Sequence, residues 1–369
     1  MGGTVTDLSR YQRQITLAGF GLDGQEKLAD AHVAVLGAGG LGSPALLYLA
    51  AAGVGEITVI DDDLVSTSNL HRQIIHTDAA VGSPKTESAR RAMLARNPDM
   101  TVHVVSSRLT TDNAVALLRG ADVVLDGTDN FAARYACSHA CAVLGIPQVW
   151  ASILGFDGQL SVFGMPDGPV YEDVFPTPPP VGAVPSCSAA GVLGPVVGTV
   201  GTAMALEAVK VVTGVGSPLS GEIGYFDGLS GRWEYIPVAA DPAVSSRVRQ
   251  APTPVAGELA VEPSDESMSA VPSLEGALLL DVREPDEYAT VHIPGAVNVP
   301  LSRLRDEEAE VAEVAELAEL AEAATTSGRP LVVYCAAGTR SAQAVEILAG
   351  AGITGVNYPG GINAWLERQ

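Results

Sequence analysis

Basic residues are scarce in this 369-residue chain: 21 Lys and Arg stand against 43 Asp and Glu, a net charge of −22. That balance excludes nucleic acid as a bulk partner, because phosphate backbones are held by clustered cations. Cysteine is scarce too. Cys137, Cys141, Cys187 and Cys335 form no CxxC pair and no disulfide framework, which suits a reducing, cytoplasmic setting. The opening "MGGTVTDLSRYQRQ" lacks the apolar core of a signal peptide. Two long uncharged stretches, 33–55 and 189–206, are interrupted by glycine and proline. They read as buried elements of a folded core, so no membrane partner is expected.

Apolar residues, by contrast, make up 47% of a chain longer than one compact core usually accommodates, so two domains are expected. From about residue 30 to 150, β-like runs ("HVAVLG", "EITVID", "TVHVV", "DVVLDG", "PQVWAS") alternate with helical ones. Strands so continuously apolar are buried on both faces, which predicts an α/β fold with a doubly wound, Rossmann-like parallel sheet. Further strand-like pieces extend this first domain over 1–238. Residues 239–272, rich in Ala, Pro, Ser and Glu, have the composition of a flexible linker. Strand runs then resume and predict a small second α/β domain over 273–369. Within it, segment 306–324 repeats Glu every third position, which predicts a solvated surface helix with its charge wound around the axis.

Between the first strand and helix, "GAGGLGS" supplies Gly37, Gly39, Gly40 and Gly42, glycines that let backbone amides approach a phosphate. Asp61 ends the next strand, where a carboxylate can accept ribose hydroxyls. Asp63, Asn69, Arg72, Gln73 and Lys85 follow. Later, "VVLDGTDNFAARY" puts Asp126, Asp129 and Asn130 at a strand's C-terminal end, where Asp126 and Asp129 could hold Mg2+ through carboxylate oxygens. A dinucleotide needs few cations, whereas a triphosphate being split needs several. The set reads as an ATP-cleaving site.

At these residues "RYQRQ", "GAGGLGS", "DDDLVSTSNLHRQ", "GSPKTESA" and "DGTDN" resemble the ThiF/MoeB-type adenylyltransferases, bacterial relatives of ubiquitin-activating enzymes. The resemblance covers about residues 7–238. It implies use of ATP and Mg2+ to adenylate the C-terminal Gly-Gly of a small ubiquitin-like sulfur carrier protein. Carried over, Asp61 holds the ribose, Arg72 and Lys85 the phosphates, and Asp129 the magnesium, while Asn69 and Gln73 orient the phosphates. Arg13 of "RYQRQ" would reach into a partner subunit's site, which implies a homodimer. One departure stands out. Many relatives carry a structural zinc on two CxxC pairs, but this chain has Val170 and Asp173 at the first pair and no cysteine over 238–250. No zinc is expected, and packing should hold that lobe. Cys187, in a Pro-rich loop ahead of an apolar helix, is expected to act as a functional thiol, whereas Cys137 and Cys141 are expected to pack in the core.

The second domain carries "LLLDVREPDEYATVHIPGAVNVPL", "VVYCAAGTRSAQA" and "YPGGINAW", which resemble a rhodanese domain. In that fold, loop amides and a helix N-terminus stabilise a thiolate or persulfide on Cys335, and Arg340 adds positive charge. Phosphatases of the same fold need one more residue between cysteine and arginine, so "CAAGTR" suits sulfur. Asp281, Arg283 and His292 are expected to brace the fold, His292 as a hydrogen-bonded core histidine. Together the two halves imply carrier adenylation followed by sulfur transfer from a Cys335 persulfide, charged by a cysteine desulfurase or thiosulfate, for cofactor or thiolated-metabolite synthesis. Two alternatives compete: a rhodanese domain that only docks partners, and a nucleotide-sensing scaffold without turnover.

Overall fold

The computed structural model describes residues 8–179, 191–255, 272–274, 276–304, 320, 323–324, 326–336 and 338–366. The chain forms two compact units, Met1–Glu258 and Leu259–Gln369. In the first, eight strands make one sheet: β1 (His32–Leu36), β2 (Glu56–Ile60), β3 (Thr101–Val105), β4 (Val123–Asp126), β5 (Gln148–Leu154), β6 (Asp157–Phe163), β7 (Glu222–Asp227) and β8 (Arg232–Pro237). Their order is β3-β2-β1-β4-β5-β6-β7-β8. The first five run parallel and the last three antiparallel. β1, β2 and β4 are apolar along almost their whole length because helices cover both faces.

The helices that matter here are α1 (Gly21–Asp30), α2 (Gly42–Ala52), α3 (Lys85–Leu94), α4 (Phe131–Leu144), α5 (Gly194–Thr213) and α6 (Pro242–Gln250). Among the described residues, α5 alone is long and apolar enough to cross a membrane. Its Val196, Val197, Val200, Met204, Ala205 and Ala208 lie in the main core with Leu46 and Leu49 of α2 and Leu160 of β6. Strand order reverses between β1 and β4, which opens a crevice at the C-terminal ends of these strands.

Residues 239–255, expected to begin the linker, instead carry α6. Asp241 caps it by accepting from the Ala243 amide, and Pro242 starts it. Val248 is fully buried, and its carbonyl is 2.7 Å from His139 Nδ1 of α4. The lobe around Asp173 is tied together by hydrogen bonds. Asp173 accepts from Val170 N at 2.8 Å and from Asp241 N at 3.1 Å. Buried Glu172 accepts from Ser138 Oγ at 2.6 Å and Thr253 Oγ1 at 3.3 Å. Tyr135, Trp150, Phe163 and Tyr171 pack beside them. Cys137 and Cys141 are buried in α4 with sulfurs 3.9 Å apart, and burial pushes the Cys137 thiol up.

The second unit is a small α/β domain with a parallel sheet of β9 (Leu278–Asp281), β10 (Ala296–Asn298), β11 (Leu331–Tyr334) and β12 (Val356–Asn357) in the order β10-β9-β11-β12. Helix α7 (Thr339–Gly350) follows β11 directly. Most of the Glu-rich segment 306–324 lies outside the described residues.

Candidate functional sites

At the first crevice, Gly37 adopts φ +87°, a left-handed conformation that glycine takes without strain. A Cβ on Gly42 would run into the Gly37 carbonyl oxygen, so the turn into α2 closes only with glycine there. Leu36, Gly37, Gly39 and Gly40 line a cavity with Asp61, Asp62, Asp63, Arg72, Gln73, Lys85, Asp129 and Asn130. Every first-domain candidate except Arg13, Gly42, Asn69, Asp126 and Cys187 therefore lines that one cavity. Gly42 shapes the turn from beneath, Arg13 is exposed on the short helix Gln12–Ile15, and Cys187 lies outside the described residues.

Asp61 accepts from Ala38 N at 2.7 Å through Oδ2 and from Asp63 N at 2.8 Å through Oδ1, which leaves each oxygen one further lone pair. Burial pushes its carboxyl up, against the Lys85 charge and the two amides. Lys85 is buried, and its Nζ meets Asp63 Oδ2 at 2.6 Å. Arg72 donates to Asn69 Oδ1 at 2.7 Å and the Ser68 carbonyl at 3.2 Å. Gln73 is buried with its Oε1 unpartnered among the described residues. Asn130 spends Oδ1 on the Ala133 amide at 2.8 Å, as the N-cap of α4. Asp129 is exposed in the cavity wall, and its carboxylate accepts no hydrogen bond from the described residues. One such carboxylate beside a phosphate cavity suits Mg2+, a hard cation that prefers oxygen and keeps most of its water.

Asp126 does not join it. It is fully buried and spends its oxygens on Thr128 N at 3.1 Å, Thr128 Oγ1 at 2.7 Å and Gln148 Nε2 at 2.9 Å. Desolvation pushes its carboxyl up, which further removes it as a cation ligand. Asp126 shapes the β4 turn.

Three residues of this region were missed. Arg108 and Arg134 line the cavity. His76 lies beneath it, 2.8 Å from the Ala38 carbonyl through Nε2 and 2.9 Å from Ser88 Oγ through Nδ1. A carbonyl only accepts, so Nε2 carries the proton and Ser88 donates to Nδ1. Burial lowers the imidazole's pKa, which favours this neutral form. His76 thus connects the Gly-loop to α3, the helix that carries Lys85.

The second unit holds the other site. Cys335 immediately follows β11 and is buried, with Gly338 N at 3.1 Å and Ser341 Oγ at 3.4 Å from its sulfur. Gly338, at φ +97°, turns the chain into α7. Arg340 carries a counter-charge of its own. Its Nη1 and Nη2 donate to both oxygens of Glu287, at 2.7 and 2.8 Å. Asp281 and Arg283 form a buried bidentate pair that braces the β9 turn, with a shortest distance of 2.6 Å. His292 is not the core histidine the sequence suggested. It is exposed, stacked on Tyr288 at 4.1 Å, with Nδ1 3.0 Å from the Tyr288 carbonyl. Its apolar neighbours in "HIPG" suggested a core position that the turn does not supply.

The ThiF family model matches residues 11–247, and the rhodanese-like domain model matches residues 266–368. The chain is 40% identical to the "Probable adenylyltransferase/sulfurtransferase MoeZ" of Mycobacterium tuberculosis (strain ATCC 25618 / H37Rv), over 98% of this chain and 94% of that protein. It is 38% identical to the "Adenylyltransferase and sulfurtransferase MOCS3" of Arabidopsis thaliana, over 96% of this chain and 82% of that one. Among solved structures, E. coli MccB with ATP superposes with a TM-score of 0.56 at 19% identity, covering 64% of this chain and 76% of that one. At that identity the likeness speaks for the fold alone.

Proposed function

This chain belongs to the ThiF family and carries a rhodanese-like domain behind it, and from that premise we propose a two-step activation of a ubiquitin-like sulfur carrier. It is an adenylyltransferase and a sulfurtransferase. ATP adenylates the carrier's C-terminal glycine carboxylate, and a Cys335 persulfide converts the adenylate to a thiocarboxylate. The observation that carries this reading is the convergence of the Gly-loop, Asp61, Arg72, Gln73, Lys85 and Asp129 on one cavity at the strand switch point.

The first step brings two anions together, so cations aimed at the reacting phosphates lower its barrier. In this reading Arg72 and Lys85 face the phosphates, Asn69 steadies Arg72, and Gln73 offers its amide. Asp61 keeps lone pairs for ribose hydroxyls. Asp129 would hold Mg2+, whose charge offsets that of the phosphates. A homodimer, with Arg13 of each copy completing the other copy's site, belongs to the same proposal.

In the second step the terminal sulfur of the Cys335 persulfide attacks the acyl carbon, and the bond to AMP breaks. The product is an acyl disulfide between carrier and Cys335. A thiol, for which we propose Cys187, then attacks the Cys335 sulfur. The carrier leaves as a thiocarboxylate, and an external thiol reductant reopens the Cys335–Cys187 disulfide. Gly338 N and Ser341 Oγ hold negative charge on the Cys335 sulfur in its thiolate form, before sulfur is loaded and after the disulfide is reopened. Covalent tethering keeps both chemistries at high mutual concentration. Exchange of labelled pyrophosphate into ATP tests the first step. The proposal expects exchange that depends on a carrier ending in Gly-Gly, and exchange indifferent to any carrier contradicts it.

A further inference from the structure

Several cations line the first-unit cavity, and they are not equivalent. Lys85 closes on Asp63 at 2.6 Å and Arg108 on Asp62 at 3.0 Å, so each carries its own counter-charge. Arg134 does not. Its Nε and Nη2 donate to the Thr128 carbonyl at 3.2 and 2.8 Å, and Nη2 also reaches Ser152 Oγ at 3.2 Å. All of these acceptors are neutral, and among the described residues Arg134 forms no ion pair. The guanidinium is wedged near two aromatic rings, 5.3 Å from the Phe131 centroid and 5.8 Å from that of Trp150. It is only 8% exposed yet lines the cavity. Asp126, whose field it feels, has its oxygens committed to Thr128 and Gln148.

Place matters as much as charge. The Gly-loop, Asp61 and Lys85 belong to β1, β2 and α3, which puts the nucleotide on that side of the switch point. Arg134 and Ser152 belong to α4 and β5, on the other side. A second substrate must enter where the nucleotide is not. We propose that Arg134 binds the terminal carboxylate of the incoming carrier, an inference that rests on the adenylation reading above. With Nε and Nη2 anchored on Thr128 and Ser152, Nη1 of this fixed, desolvated guanidinium is left to donate to a carboxylate oxygen, and exclusion of water strengthens the pairing. Held through one oxygen, the carboxylate keeps the other for the α-phosphate. Arg134 is then a substrate-binding residue that offsets the repulsion between two anionic reactants.

The test is carrier-dependent pyrophosphate exchange by the full chain, with ATP affinity measured separately by calorimetry, for wild type, Arg134→Gln and Arg134→Lys. The expected result for Arg134→Gln is a carrier KM raised at least about tenfold, with ATP Kd changed less than about twofold. Arg134→Lys, which keeps the charge and loses the anchoring on Thr128 and Ser152 that fixes its position, falls between. Should Arg134→Gln fail to fold, Arg134→Lys decides by the same two readouts. An unchanged carrier KM, or an ATP Kd that weakens while carrier KM holds, overturns the assignment and leaves adenylation standing. Wild-type enzyme that exchanges with no carrier overturns both.

Discussion

Glu287 and Arg340 meet through two parallel hydrogen bonds of 2.7 and 2.8 Å, so the arginine of the Cys335 loop is oriented and charge-compensated by a residue 53 positions earlier in the chain. The pair is about a quarter exposed on each side, so its direct worth to stability is only about 1 kcal/mol. Its larger effect falls on chemistry, because it decides where the guanidinium points. Glu287→Gln should lower the melting point slightly and slow persulfide transfer from Cys335 by roughly tenfold or more. Cyanolysis of the loaded enzyme, read beside a thermal melt, checks both.

The same pair sets a pH dependence. Hydrogen bonding from Arg340 holds the Glu287 carboxyl below the ordinary glutamate range. A carboxyl lowered in the folded state binds fewer protons there than in the unfolded chain. Its stabilisation is therefore complete above the unfolded glutamate pKa, about 4.3, and is lost as pH falls through the lower native value. Denaturant titrations of wild type and Glu287→Gln should converge as pH drops through that window. A constant gap between them at all pH values would assign the effect to packing instead.

Lys85→Ala and Arg72→Ala should each slow pyrophosphate exchange by about a hundredfold or more, the cost of removing one donor aimed at a transition state. Neither should disturb sulfur loading of Cys335. Loss of both activities together would indicate unfolding, which circular dichroism detects.

If Arg13 serves the neighbouring copy, Arg13→Ala and Lys85→Ala proteins are each inactive alone but complement when mixed. The mixed dimer pairs an intact Lys85 site with an intact Arg13 from the other chain. Exchange that stays at the level of the separate variants would place Arg13 outside the site.

Holding the lobe around Asp173 by hydrogen bonds predicts that a zinc-selective chelator leaves the melting temperature unchanged. Asp173→Ala, which orphans the Val170 and Asp241 amides, should cost about 1–3 kcal/mol by denaturant unfolding.

The strands and the Gly-loop were legible because burial on both faces of a parallel sheet leaves few sequence solutions, and a phosphate turn demands glycine at fixed spacing. Residues whose meaning depends on distant partners were not legible. His76 lies within "NLHRQIIH", yet its role appears only when the Ala38 carbonyl, 38 positions earlier, comes within 2.8 Å. Arg134 stands five residues past Asp129 and gains its place from Ser152 on a strand added later to the sheet. Composition misled at α6, where an Asp-Pro start was a readable helix signal that the Ala- and Ser-rich texture obscured. Asp126 and Asp129 looked alike by position, and only the hydrogen bonds from Thr128 and Gln148 separate the buried brace from the open carboxylate.

Mass spectrometry of a purified Gly-Gly carrier, incubated with the enzyme, ATP, Mg2+, a sulfur donor and a reductant, probes the joined chemistry most directly. The terminus should exchange one oxygen for one sulfur, and the Cys335→Ala enzyme should instead stop at adenylate with pyrophosphate still released. A carrier that acquires sulfur just as fast from the Cys335→Ala enzyme would remove the persulfide from the reaction.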